Sequence, residues 1–558
     1  MKITDLISDI AKAGPPALDQ EMVVELIYDA APDLKFIRDE LQRMCGRATR
    51  ISIDDPFLSC GLFFVFVQFD ELNCTQQEHL GFELARALKS PLRAKATNFV
   101  GTDSFYGSLA AVEAGDDLMQ RSLRLCETVS KEISPIAWAH EAVGATPSII
   151  EAAKRGAGVK IGLIDTGTSI HNDVLKLFTS DSPDLNLLER NQPPVDTFHD
   201  GGVVPSPGHG TLVASVAASR GRLTDAYEPT EPGKITGLAP EASVLPIRAI
   251  RSVVAIRQNR IALAIQKAVE KKADIIVMCL GGPFRVGAVE AALRDARTAG
   301  VITLAAAGNC YPWVVFPAWL AKYQLCAAIA AVAKDKKPWK KSSRGKAVTV
   351  SAPGENVWGA SMKESDGDVA KISPSQGTSL ATAVAAGCAA LFISHHGKNR
   401  LKTIAKTRDT TIQALFLSAI IDGLTPPAEW NGSKRLGAGI INVKKLFAFD
   451  IEQAPIKAPR DTKTVDQIAS TQQVFADYLE DHTEATAFAS EQVGDLAGEL
   501  LWAAQIHQAQ RRVAEDRNEY VNRDKFPFRQ IKLSDQAQSL LSADDTLRKL
   551  LSDVVRTE

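Results

Sequence analysis

Cysteine is scarce in this chain, with eight among 558 residues, at positions 45, 60, 74, 126, 279, 310, 326 and 388. They form no CxxC pair and no cluster with histidine, which excludes a zinc-ribbon framework and a disulfide-dense scaffold and leaves reduced thiols as the expectation. An excess of charge of either sign is missing too, since 64 Lys and Arg face 66 Asp and Glu for a net charge of -2. Bulk electrostatics therefore give no reason to expect nucleic acid as a partner. The N-terminus, MKITDLISDIAKAGPP, interrupts its apolar positions with Asp and Lys and lacks the continuous apolar stretch of a secretory leader. No later charge-free apolar run is expected to span a membrane, so no membrane partner is expected and a cytoplasmic location is the default.

What is present is the composition of a globular chain, 45% hydrophobic and 23% charged, at a length that implies two to four structural units. From Glu21 to Phe99 the pattern predicts strand, helix, strand, strand, helix, strand. That βαββαβ order implies a ferredoxin-like α+β module over 1–100. Residues 107–133 carry apolar positions at helical spacing, giving a helical linker over 101–135. Between 136 and 448 short, almost wholly apolar segments recur, VKIGLID, VLPIRAI, ADIIVMCLGG, VITLAAAGN, LCAAIAAVA and VTVSAPG, each followed by a helical stretch. Strands without alternation are buried on both faces, so a doubly wound, mostly parallel α/β sheet is expected. Beyond a Pro-containing polar linker, residues 449–558 are amphipathic helices with no matched set of reactive residues. The basic run Lys334 to Lys346 is read as a solvated loop.

Three motifs sit where an element boundary can present a reactive side chain. VKIGLIDTG ends a buried strand on Asp165, at the carboxyl edge where open α/β sheets place ligands. GHGTLVASVAAS opens a helix on His209, and its small residues Gly210, Ala214 and Ala217 permit close approach to a sheet. QGTSLATAVAAGCAALFIS puts Ser379 at the start of an apolar helix, where free N–H groups favour negative charge. Read singly, each is ordinary: a turn Asp, a tight glycine loop, a helix start. Together, in the order Asp, His, Ser across parallel-type strands, they match the subtilisin arrangement of a catalytic triad and not the other two known orders.

DTG, GHGTLVA and GTSLATA closely resemble the signature blocks of the subtilisin-like (S8) serine peptidases, and the resemblance spans about Ile136 to Phe447. GLAPEASVLPIRAI, ADIIVMCLGG, AAAGN and GAGIIN extend it. It implies an endopeptidase in which Ser379 attacks, His209 shuttles the proton, Asp165 orients the imidazole and Asn309 donates to the oxyanion. It also implies that Leu280, Gly281 and Gly282 pair with extended substrate and that Ile247 to Arg251 lie near an outer pocket. Val315 stands where the family keeps a small residue at the base of the main specificity pocket, which implies a narrowed pocket for small or medium residues. No cofactor is implied for the chemistry; Asp173 in HNDVL matches a family calcium ligand and is the candidate metal residue. The chain departs from the family at Cys279 for Ser, Ala383 for Pro and Val384 for His.

The βαββαβ module resembles the prodomains of such enzymes, and its tail GTDSFYGS is the candidate inhibitory or cleavable stretch; a plain interaction domain is the alternative. Substrates are proteins or peptides, and the terminal segments are candidate surfaces for a protein partner. His482 and His507 are read as ordinary helix residues. Two other functions stay open: a maturation enzyme that hands the acyl group to an amine, for which Ala383 is the hint, and a non-catalytic binding protein that keeps the fold.

Overall fold

The computed structural model describes residues 21–45, 50–54, 61–68, 79–101, 133–169, 171, 177–180, 182–196, 206–220, 235–251, 253, 258–282, 285–309, 313–361, 371–456, 474–476, 478, 493–505, 533–544 and 547–548. At the N-terminal end, strands β1 (Glu21–Ile27), β2 (Arg50–Asp54), β3 (Leu62–Gln68) and β4 (Ala96–Gly101) alternate with helices α1 (Leu34–Cys45) and α2 (His79–Lys89) in the expected βαββαβ order. All pairs are antiparallel and the sheet runs β2-β3-β1-β4, the arrangement of a split βαβ unit.

The central sheet has six strands: β5 (Lys160–Asp165), β6 (Ser243–Arg248), β7 (Ile275–Met278), β8 (Ile302–Ala306), β9 (Ala327–Val332) and β10 (Val350–Pro353). Every pairing is parallel, in the order β10-β9-β8-β7-β5-β6. Strands β7, β8 and β9 are buried at every residue, as strands covered by helices on both faces must be. The chain passes from β5 to β6 on one side and then to β7 on the other. The strand order therefore reverses between β5 and β7, and the crevice at their carboxyl ends is where open α/β sheets bind ligands.

Helices α3 (His209–Ala218), α4 (Asn259–Glu270), α5 (Gly287–Thr298) and α6 (Thr378–His396) flank this sheet. α3 and α6 share one core with the face carrying Ile161 and Leu304; α4 and α5 cover the other, against Ile164 and Met278. α6 corrects one expectation, because its 19 residues are long and apolar enough to cross a membrane. The reason is packing: 89% of its most apolar window is buried in the protein, and a helix enclosed on all sides has no need of a polar face. Its alanines and Gly387 let it lie close; a methyl on Gly387 would collide with Leu238.

The second core does not stop at the expected boundaries. One cluster runs from Val24, Phe64 and Leu88 through Ile261 and Leu293 to Leu500, Trp502 and Ala537. Within it Glu25 of β1, with no exposed surface, accepts hydrogen bonds from the Gly287 (2.9 Å) and Ala288 (2.8 Å) amides at the start of α5, and from Asn98 at 2.8 Å. Burial pushes its carboxyl up, against the pull of those donors and the nearby Arg285. An antiparallel hairpin, β11 (Val357–Ser361) with β12 (Lys371–Ser375), was not expected from the sequence, whereas a helix at Asp535–Ala543 falls within the expected helical segment 449–558. The helix expected at 107–133 and most of the C-terminal helices lie outside the described residues.

Candidate active site

Asp165 ends β5 at the reversal of strand order and is 1% exposed. Its Oδ1 accepts from Nδ1 of His209 at 2.7 Å and from the Thr166 amide at 2.8 Å. His209 begins α3 beside that strand, and Gly210 is what allows the approach, since a Cβ there would collide with the Gly167 carbonyl. The two segments are tied below the pair. Thr166 Oγ1 donates to Asp196 at 2.7 Å and accepts from the Gly210 amide at 3.1 Å, while the Gly208 amide donates to the same Asp196 carboxylate at 2.7 Å. Fully buried Arg248 donates to the Thr166 carbonyl at 2.6 Å and stands 3.9 Å from Asp196. A buried carboxylate and a nearby guanidinium thus both bind Thr166 and fix the turn that carries Asp165.

Ser379 lies in the first turn of α6, 6% exposed, with Oγ donating to the Cys279 carbonyl at 3.4 Å. The Cys279 thiol donates back to the Ser379 carbonyl at 3.3 Å. Burial, and then the charge of Asp165, pushes that thiol well up, so it stays a neutral donor. Asn309 is held by its carbonyl oxygen, which accepts from the Thr378 amide (2.9 Å) and hydroxyl (2.7 Å). Thr378 in turn accepts from the Gly308 amide at 3.2 Å. The Asn309 amide nitrogen is left on the side of Gly377 and the start of α6, where a developing negative charge beside Ser379 would meet both it and the Ser379 amide.

The segment after β7 forms one wall of the crevice. The Gly281 amide donates to the Val253 carbonyl at 3.0 Å, and Gly282 exchanges hydrogen bonds of 2.9 and 3.1 Å with Phe316. Val315, 5% exposed, places its methyls against Gly281 and Gly308; a Cβ on Gly308 would lie 2.8 Å from one of them, and one on Gly281 would collide with the other. Leu280 is buried. Ala249 and Ile250, within the Ile247 to Arg251 segment, both donate to the Asp165 carbonyl.

The structure therefore brings together Asp165 and His209, and Ser379 with Asn309, at the ends of β5, β7 and β8, with Gly281, Gly282 and Val315 alongside. Asp173 lies outside the described residues, as do His482, His507 and the stretch GTDSFYGS beyond Gly101. Among the described residues no group of three or more His, Cys, Asp or Glu could hold a metal ion. Cys279, Cys326 and Cys388 are unpaired and buried. The supporting roles of Thr378, Asp196 and Arg248 were missed; Thr378, inside GTS, and Arg248, inside the Ile247 to Arg251 segment, lay in motifs singled out for other reasons, and Asp196 in none.

A profile of the subtilase family matches residues 156–443. Subtilisin DY of Bacillus licheniformis is 29% identical over 263 residues, covering 45% of this chain and 85% of that protein. The intracellular serine protease of Paenibacillus polymyxa is 28% identical over 320 residues, covering 52% and 83%. The crystal structure of fervidolysin from Fervidobacterium pennivorans, a keratinolytic enzyme related to subtilisin, overlays with a TM-score of 0.51 at 16% identity, covering 79% of this chain and 65% of that one, a likeness of fold alone. With a parallel sheet, a reversal of strand order, an Asp–His pair and a helix-borne serine already in place, the chain belongs to the subtilase family of serine endopeptidases.

Proposed function

We propose that the chain hydrolyses peptide bonds in protein or peptide substrates with Ser379 as nucleophile, His209 as general base and then acid, Asp165 as the orienting carboxylate and Asn309 as oxyanion donor. The single observation that carries this reading is the 2.7 Å contact between His209 Nδ1 and Asp165 Oδ1. With Nδ1–H donating to the carboxylate, Nε2 is left as the lone-pair nitrogen that can take a proton from the serine. Ser379 Oγ must turn from the Cys279 carbonyl toward that nitrogen, a rotation about one side-chain bond. Attack on the substrate carbonyl forms a tetrahedral oxyanion and an imidazolium; the imidazolium protonates the leaving amine, and water then resolves the acyl-enzyme by the same route. Subtilisins need no cofactor for this chemistry.

Leu280, Gly281 and Gly282 are proposed to pair with the extended substrate, and Val315 to narrow the pocket for the residue before the cut. Asp173 is proposed as a structural calcium ligand on the resemblance of HNDVL alone, and no step depends on it. The division into 1–100, 101–135, 136–448 and 449–558 is proposed as one of function, with the first part regulating the third. An intracellular location is supported by likeness to the P. polymyxa protein named for it.

The test is labelling with a fluorophosphonate followed by peptide mapping. An adduct on Ser379 that disappears in His209→Ala supports the reading; no adduct in the full chain or in a proteolytically trimmed form removes it. Product masses from a peptide with and without added amine separate hydrolysis from transfer.

A further inference from the structure

We propose that the C-terminal extension is a clasp that holds the N-terminal module on the catalytic domain, so that the module stays bound when the chain joining them is cut. Its bearing on activity rests on the reading of the module as regulatory; the grip itself does not.

The argument begins on α2. Leu80, Leu84 and Leu88, spaced by one helical turn, are buried with the sheet of the module. A two-layer α+β unit needs no more than that one apolar stripe, and its other helix face belongs to water. Here Arg86 and Lys89, together with Phe82, whose ring also meets Phe99 of β4 edge-on at 5.2 Å, are covered by residues from the far end of the chain. The Phe82 ring stands 5.7 Å from Trp502. Arg86 donates to Glu499 at 2.8 Å and to Ser534 Oγ at 3.0 Å. Lys89 pairs with Asp495 at 2.7 Å.

Glu499 decides the strength of this contact. It has no exposed surface, and its oxygens accept from Arg86, from the Ser534 amide (2.6 Å) and from the Ser534 hydroxyl (2.9 Å). A carboxylate so enclosed is tolerated only with its full set of donors, and removing the guanidinium would leave it buried and uncompensated. Ser534 also caps the helix at Asp535–Ala543, so ion pair and helix start depend on one another. The extension is anchored at its other end to the catalytic domain. Val474, Phe475 and Tyr478 are buried, and the Tyr478 ring meets Trp313 edge-on at 4.8 Å, two residues before Val315. The module is thus gripped on its sheet side through Glu25 and α5, and on its helix side by the extension.

The experiment places a recognition sequence for a site-specific processing protease between residues 101 and 133 of the full chain carrying Ser379→Ala, cuts it, and follows release of the module by size-exclusion chromatography. The two fragments are expected to co-elute, and Arg86→Ala to speed release by about tenfold or more. Should Arg86→Ala fail to fold, Lys89→Glu and Asp495→Lys serve: each alone speeds release about two- to fivefold and the pair together restores the original rate. Fragments that part at once on cutting, or variants that release at the unmutated rate, overturn the clasp. Because the Ser379→Ala chain cleaves nothing, the result stands or falls independently of the protease reading.

Discussion

Val315 fills the space between Gly281 and Gly308, so the walls of the crevice already touch one side chain before any substrate arrives. With Val315 removed to glycine, the volume of an isopropyl group opens between two backbone segments. Val315→Gly is expected to raise kcat/KM for substrates with Phe or Leu before the cut by about tenfold relative to Ala, in the range a few methylenes govern in an apolar pocket. Competition assays on a mixed peptide library check it; an unchanged preference would place the pocket elsewhere.

Asn309 has two faces with separable duties. Its oxygen holds Thr378 and its nitrogen is the proposed oxyanion donor. Asn309→Asp keeps the acceptor and loses the donor, so kcat should fall about 100- to 1000-fold with the melting temperature nearly kept. Asn309→Ala should lose both. Paired kinetics and thermal scans distinguish the two; equal kcat for Asn309→Asp and the unmutated chain would remove the assigned role.

Acid should weaken the fold through two histidines. Burial lowers His140 and His396 to about 4 from 6.5. The unfolded chain therefore holds the extra protons, and the stability these groups permit is complete above 6.5 and lost as pH falls from 6.5 toward 4, by at most about 1.4 kcal/mol per pH unit for each. His396 lies 3.1 Å from the Leu446 carbonyl. His396→Gln keeps a donor for that carbonyl and removes the titration, so its melting temperature should fall less steeply over the window. Calorimetry on the Ser379→Ala background reads the slope, and parallel slopes would exclude His396 as a contributor.

Glu25 links docking of the module to a proton. Because the buried carboxyl is raised, the docked state takes up a proton, so docking strengthens as pH falls through the raised value and levels off below the ordinary carboxyl range. Glu25→Gln should flatten that dependence. Hydrogen exchange of β1 and β3 amides between pH 4 and 7 would report it; a retained slope in the variant would assign the proton to another group.

The sheet was legible because strands buried on both faces cannot alternate, and the segments VKIGLID and ADIIVMCLGG have no polar position to spare. Asp165, His209 and Ser379 were legible because each follows or opens an element and carries small neighbours that only close packing requires. The roles of Arg248 and Asp196 were not, since their main partners are the Thr166 carbonyl for the first and the Thr166 hydroxyl and Gly208 amide for the second, and no residue spacing encodes that. The continuity of the core across the expected boundaries was hidden for a related reason: the apolar face of an amphipathic segment such as 493–505 says that it is covered, not by what.

Arg86 and Glu499 are 413 positions apart in the chain. On a ribosome adding about 5–20 residues per second, the proposed nucleophile at position 379 emerges several seconds ahead of the carboxylate at 499. The nascent chain therefore has Ser379 while the arginine's partner is still being translated, and in that interval the Glu25 contact alone of the two holds the module on the catalytic domain.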